Sequence, residues 1–223
     1  MKSPFPAIAI AVALFVCSPT AFSQSNTPPA SAAELEALYT TTIESRTADI
    51  IKALNLSDAS NADYVHDLLI AQYRVMRARD AMIDAQLKAT GKEVNYVNRT
   101  SQLLAESKPL HDYFFARLAQ KLTPEQVETV KDKMSYNKAK VTYDAYLAIV
   151  PGLTDADKAK IMELLKAARE EAVDGGSAPE KTAIFQKYKD QINEYLNANG
   201  HDTAKAFKDW ADSHPNTNSA AKK

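Results

Sequence analysis

Once its leader is removed, this chain has no cysteine. The single one, Cys17, lies in the opening stretch MKSPFPAIAIAVALFVCSPTAFS. Without thiols, a disulfide framework and a cysteine-based metal site are both excluded. Glycine is scarce too. The five glycines, at 91, 152, 175, 176 and 200, form no phosphate-cradling loop. No run after the leader approaches the length of a membrane span. Neither sign of charge dominates: loss of Lys2 with the leader leaves acidic residues ahead of basic ones by two. Such a chain has no basic surplus to attract nucleic acid over long range. G-x-S-x-G, H-E-x-x-H and H-x-x-E-H are also missing, which removes the common signatures of nucleophilic hydrolases and zinc peptidases.

The N-terminus is organised as an export signal. Lys2 forms a positive n-region, Ala7–Val16 an apolar run, and Ala21 and Ser23 occupy the −3 and −1 positions of a cleavage site. Cleavage is expected after Ser23, placing the protein in the bacterial periplasm or outside the cell. Val16 is too bulky for the residue before a lipidated cysteine. Residues 24–32 read as a flexible spacer, 33–213 as a single all-α domain and 214–223 as a disordered tail.

Helical periodicity fills the domain. A first helix over about 33–54 carries Leu35, Leu38, Ile50, Ile51 and Leu54. A second, capped by Ser57 and stopped by Gly91, carries Val65, Leu68, Leu69, Met76, Met82, Ile83 and Leu87. After a loop, GKEVNYVNRT, a third carries Leu103, Leu104, Leu110, Phe114, Leu118 and Leu122. Pro109 either starts it behind Ser107 or kinks it. In KLTPEQVETVKDKM, Thr123, Pro124 and Gln126 form a capping box for a fourth. A fifth spans Val141–Val150. Thr154 and Ser177 cap two more, striped by Ile161, Leu164, Leu165, Ala168 and Ala172, and by Phe185, Tyr188, Ile192 and Tyr195. A short last helix holds Phe207 and Trp210. With no sustained polar/apolar alternation, the fold class is all-α: an irregular bundle of helical hairpins with about seven helices.

Candidate chemistry is sparse. Three of the four histidines precede an aspartate, at His66, His111 and His201. Neighbours on a helix point about 100° apart and do not chelate one ion together, so no metal and no cofactor is expected. Glu163, Glu170, Glu171 and Asp174 are the carboxylates available for glycoside hydrolysis, on what otherwise reads as a solvated face with a Lys166–Glu170 pair. No catalytic residue is assigned. Arg74, Arg77 and Arg79 are expected to pair with Asp80 and Asp84. Tyr136, Tyr143 and Tyr146 are interleaved with Lys138 and Lys140, and Lys187 and Tyr188 repeat the pattern. Tyrosines among lysines suit sugar stacking as well as a core with wet hydroxyls. On a continuous helix Tyr136 and Tyr143 would share a face. The candidate ligand site is therefore Tyr136, Tyr143, Tyr146, Lys187 and Tyr188.

The order of the Tyr-rich middle, LTDADKAKI, AREEAVDGGSAPEK, FQKYKDQINEYL and GHD resembles the bacterial family called domain of unknown function 3826, from about Thr42 to Asp202. Asn137 and Lys138 stand where that pattern suggests a glycine-containing turn. The resemblance implies a secreted protein of polysaccharide-degrading bacteria, with genes near pectin utilisation, and supplies no catalytic residues. Leu122–Gln126 alone resembles the LTxxQ signature of Spy-like periplasmic chaperones. The expectation is an exported accessory protein that binds an oligosaccharide or a partner protein. A holdase chaperone and a glycan-active enzyme are the alternatives.

Overall fold

The computed structural model describes residues 31–214, side chains at 96–98 and 100–106 excepted. The leader, most of the spacer, the tail beyond His214 and the Leu103 and Leu104 side chains lie outside the described residues. The described residues form eight α-helices and no strand: α1 Ala32–Leu54, α2 Ala59–Ala89, α3 Tyr96–Leu118, α4 Pro124–Met134, α5 Lys138–Ile149, α6 Asp155–Ala172, α7 Ala178–Ala198 and α8 Thr203–Ser213.

Side-chain caps set most of the starts. Ser31, Thr123, Thr154 and Ser177 each form a capping box, with Glu34, Gln126, Asp157 and Glu180 at N3. Each cap satisfies amides that have no partner inside the helix. The second helix departs from expectation: Asp58, not Ser57, is its cap and accepts from the Ser60 amide at 2.8 Å. The helix α3 begins inside the stretch expected to be loop, and Pro109 lies in its interior. The helix α5 starts at Lys138, three residues before the expected Val141.

Adjacent helices run antiparallel. Glu36 meets Arg74 and Arg77, Tyr39 meets Tyr73, and Gln126 reaches the Leu54 carbonyl, so α2 and α4 flank α1. Two cores result. Ile43, Ile50, Leu69, Met76, Phe114, Leu118, Val130 and Met134 fill the first, between α1 and α4. Tyr146, Ile161, Leu165, Ala168, Phe185, Ile192 and Leu196 fill the second, from α5 to α7. Leu35, Leu38 and Met82 do not join the buried stripe; Leu38 is 65% exposed and Met82 71%. The first turns of α1 meet α2 through Glu36 and Tyr39 rather than through Leu35 and Leu38. Met82 points away from its buried neighbour Ile83.

The α6–α7 corner binds the two halves. Val173 belongs to the first core although it follows α6. Arg79 donates to the Asp174 carbonyl at 2.6 Å, to Ser107 at 2.9 Å and to Asp80 at 2.8 Å. Arg99 joins Asp84 to Glu180, and Arg169 joins α6 to Glu128 and Asp132 of α4. Buried guanidinium groups need such partners, because an unpaired buried charge is costly.

Candidate functional site

The structure disperses the five tyrosine and lysine candidates. Tyr146 is only 2% exposed; its hydroxyl donates to Asn193 Oδ1 at 2.8 Å and its ring meets Phe207 edge-on. It is a core residue, with burial raising its phenol pKa. Tyr143 packs against the second core. Lys187 and Tyr188 do come together, through a residue not assigned to that cluster beforehand. Glu171 accepts from Lys187 Nζ at 2.8 Å and from the Tyr188 hydroxyl at 3.1 Å. Its other oxygen is buried and has no hydrogen-bond partner among the described residues. This cluster neutralises the cation that was expected to face a ligand.

Tyr136 stands apart from Tyr143 because no continuous helix joins them. Tyr136 and Asn137 both adopt the left-handed conformation, at φ 60° and 53°. The turn expected to need glycine is made by two residues with side chains. For an L-residue this costs about 1–2 kcal/mol, and the strain is held by α4 and α5 on either side. The outcome is a tyrosine ring 37% exposed at the end of α4, with the Arg46 guanidinium 5.6 Å from its centroid.

The α1–α2 hairpin carries a polar face that sequence spacing did not single out. Glu36, Tyr39 and Arg46 lie at i, i+3 and i+10, along one side of α1. Tyr73, Arg74 and Arg77 face them from α2. A cavity of about 280 Å³ is lined by Glu36, Tyr39, Arg74, Arg77, Ala78 and Ala81. Arg77 lies 4.1 Å over the Tyr39 ring, and the Tyr39 hydroxyl donates to the Tyr73 carbonyl at 2.6 Å. Burial pushes the Tyr73 phenol up to about 12, with Arg46 close enough to pull it down and Tyr136 and Tyr39 close enough to push it up. Arg74 and Arg77 pair with Glu36, not with Asp80 and Asp84 as their sequence neighbourhood suggested. Asp80 is taken by Arg79 and Asp84 by Arg99.

The family described as "Protein of unknown function (DUF3826)" matches residues 40–214. The chain belongs to this family. The DUF3826 match takes in Arg46, Tyr73 and Tyr136 and begins just after Tyr39. Nothing in it supports the chaperone likeness of Leu122–Gln126, which serves in the fold as the cap of α4. No curated protein matches the chain.

The remaining polar candidates are tied into the scaffold. Glu170 pairs with Lys131 at 2.8 Å rather than with Lys166, Glu163 with Lys160 at 2.7 Å, and Asp174 with His111 at 3.0 Å. His66 bridges Glu44 and Asp67, and His201 meets Asp157 at 3.2 Å. The bonds from Thr154 and from His201 hold the Asp157 carboxyl at about 2. Among the described residues no three histidine, aspartate or glutamate side chains converge as a metal site. No helix of the described residues is long and apolar enough to cross a membrane.

Proposed function

We propose that this protein is exported and works by binding an oligosaccharide along the α1–α2 groove, as an accessory to polysaccharide breakdown. The observation that carries the reading is Tyr136, a ring kept half-exposed by a strained backbone at the end of a tyrosine- and arginine-lined face. Rings with free edges and hydroxyls suit sugars, which offer an apolar face and a polar rim. Glu36 to Arg46 spans about 15 Å along the helix axis, the reach of a short oligomer rather than one sugar. Irregular segments on a rigid scaffold are where binding residues concentrate.

A glycan array of the mature protein, followed by calorimetry on its strongest hits, tests this. Tyr136→Gly relieves the left-handed strain while removing the ring. Folding stability is expected to stay within about 1 kcal/mol of wild type, since relief of about 1–2 kcal/mol is offset by lost contacts and a freer unfolded chain. Affinity is expected to fall about tenfold or more, by analogy with stacking of nucleobases on aromatic rings. Unchanged affinity in the folded variant removes Tyr136 from the site. Export is checked separately: mass spectrometry of the secreted or periplasmic protein should find Gln24 at the N-terminus, and an intact Met1 refutes it.

A second reading, the holdase, draws on Leu35, Leu38, Val75 and Met82, which leave apolar surface exposed on the same hairpin. Suppression of client aggregation by wild type, abolished in Leu38→Ser/Met82→Ser with sugar binding absent, would favour it.

A further inference from the structure

The corner between α6 and α7 closes over an amine. Lys181 lies in the first turn of α7, and its side chain turns back to the end of α6. Its Nζ donates to the Ala172 carbonyl at 2.6 Å and to the Val173 carbonyl at 3.4 Å. Among the described residues these are its only hydrogen bonds. Only 3% of the residue is exposed. The nearby carboxylates are engaged elsewhere. Asp174 pairs with His111 of α3 at 3.0 Å. Glu180 pairs with Arg99 of α3 and accepts from the Gly176 and Ser177 amides.

Two acceptors suit a neutral amine, which has two N–H donors. An ammonium has three, and here the third finds no acceptor among the described residues. A buried charge with an unpaired donor is costly. Burial accordingly lowers the Lys181 pKa from 10.5 to about 7; Asp174 and Glu180 pull it up, while Arg46 of α1 and Arg79 of α2 push it further down. The same corner joins the two halves, because Val173 fills the first core and the Asp174 carbonyl accepts from Arg79. We infer that the α6–α7 corner is a proton-operated joint, held shut by Lys181 as a neutral amine and opened locally when Nζ takes a proton from water. Opening hydrates the third N–H and frees the Ala172 and Val173 carbonyls. Between about pH 7 and 10.5 the open form holds the proton more tightly than the closed one. The open fraction therefore falls as pH rises through that window, by at most about tenfold per unit. Below the window both forms are charged, and the joint is at its loosest.

Amide hydrogen exchange, corrected for the intrinsic effect of pH on exchange, tests the joint. The amides to follow are those of Val173 and Gly175, which donate to the Arg169 and Ala172 carbonyls. Val130, buried in the first core, reports global unfolding. In wild type the corner is expected to open more often than the core, and its opening constant to fall up to about tenfold between pH 7.5 and 8.5. Lys181→Met removes the titrating group, and Lys181→Arg keeps a charge throughout. Both should flatten the pH dependence, while Asp174, Glu180, Arg46, Arg79 and His111 stay in place. A carbon NMR titration of the lysine Cε atoms in wild type needs no variant to fold, and one lysine is expected to titrate near pH 7. Lysines that all titrate near their ordinary value, about 10.4, overturn the neutral amine. Corner amides that open only as often as Val130 overturn the joint. A pH dependence undiminished in the folded variants overturns Lys181 as its cause.

Discussion

Gly176 tests how the two halves are joined. A Cβ added there would lie 1.7 Å from Asp80 Oδ2 and 2.8 Å from its Cγ, far inside van der Waals contact. Gly176→Ala therefore forces the Asp80 carboxylate aside. That carboxylate is not free to move cheaply, because its other oxygen accepts from Arg79 Nε at 3.0 Å and Nη2 at 2.8 Å. Arg79 is 6% exposed and would keep only Ser107 and the Asp174 carbonyl as acceptors. A core that yields to an extra methyl loses about 1 kcal/mol, whereas breaking a buried ion pair outright costs about 3–5 kcal/mol. Asp80 can rotate without vanishing, so a loss near 3 kcal/mol is expected, roughly a third of an ordinary domain's stability. Urea denaturation followed by circular dichroism measures it. Two controls sharpen the reading. At Gly175 the added Cβ meets Lys181 Cγ at 3.2 Å, a contact that a shift of a few tenths of an ångström relieves, so Gly175→Ala should cost less than about 1 kcal/mol. In an Asp80→Ala background the obstacle is gone, and Gly176→Ala should add under about 0.5 kcal/mol, a strong negative coupling. A Gly176→Ala variant as stable as wild type, or equally damaging in both backgrounds, would refute the packing described for the corner.

Thr123→Ala should lower stability by about 0.5–2 kcal/mol, because it removes the Thr123 hydroxyl that accepts from the Gln126 amide; an unchanged urea midpoint would count against the cap. Tyr146→Phe should cost about 0.5–1.5 kcal/mol through loss of its bond to Asn193, with sugar affinity unchanged; altered affinity would return Tyr146 to the binding surface. Lys181 is 3% exposed and donates to the Ala172 carbonyl at 2.6 Å, at the C-terminal end of α6. Burial lowers its pKa from 10.5 to about 7. Between about pH 7 and 10.5 the unfolded chain therefore holds the proton more tightly than the folded one, so this residue makes stability rise with pH across that window, by at most about 1.4 kcal/mol per unit. Denaturation curves of wild type and Lys181→Met from pH 7 to 10 should differ in slope accordingly, and parallel curves would remove Lys181 as the cause.

Much of the candidate site was hidden from sequence for a geometric reason. Tyr136 was visible as an aromatic in a weakly helical stretch. Its separation from Tyr143 was not, because two consecutive left-handed residues at Tyr136 and Asn137 carry no glycine to announce them. Arg74 and Arg77 have acidic neighbours on their own helix, yet they bond to Glu36 across the hairpin. Arg46 had no signal at all: a lone arginine on a helix is ordinary, and only the fold brings its guanidinium to the Tyr136 ring.

The chain's local patterns by themselves determined that it is helical, where most helices start, and which aliphatic stripes are buried. Capping boxes such as Thr123–Gln126 and Thr154–Asp157 act within one turn, and the 3.6-residue period acts within one helix, so both can be read along the chain. Tertiary structure alone decided that Leu38 stays in solvent, that Tyr146 is core, that Glu171 holds Lys187, and that Arg46 lies against the Tyr136 ring. Those outcomes depend on which helix lies alongside which and where each one stops. A side chain's partner across an interface is set by the antiparallel register of α1 with α2 and α4 and by the wedge of the α6–α7 corner, and no spacing within a single helix encodes it.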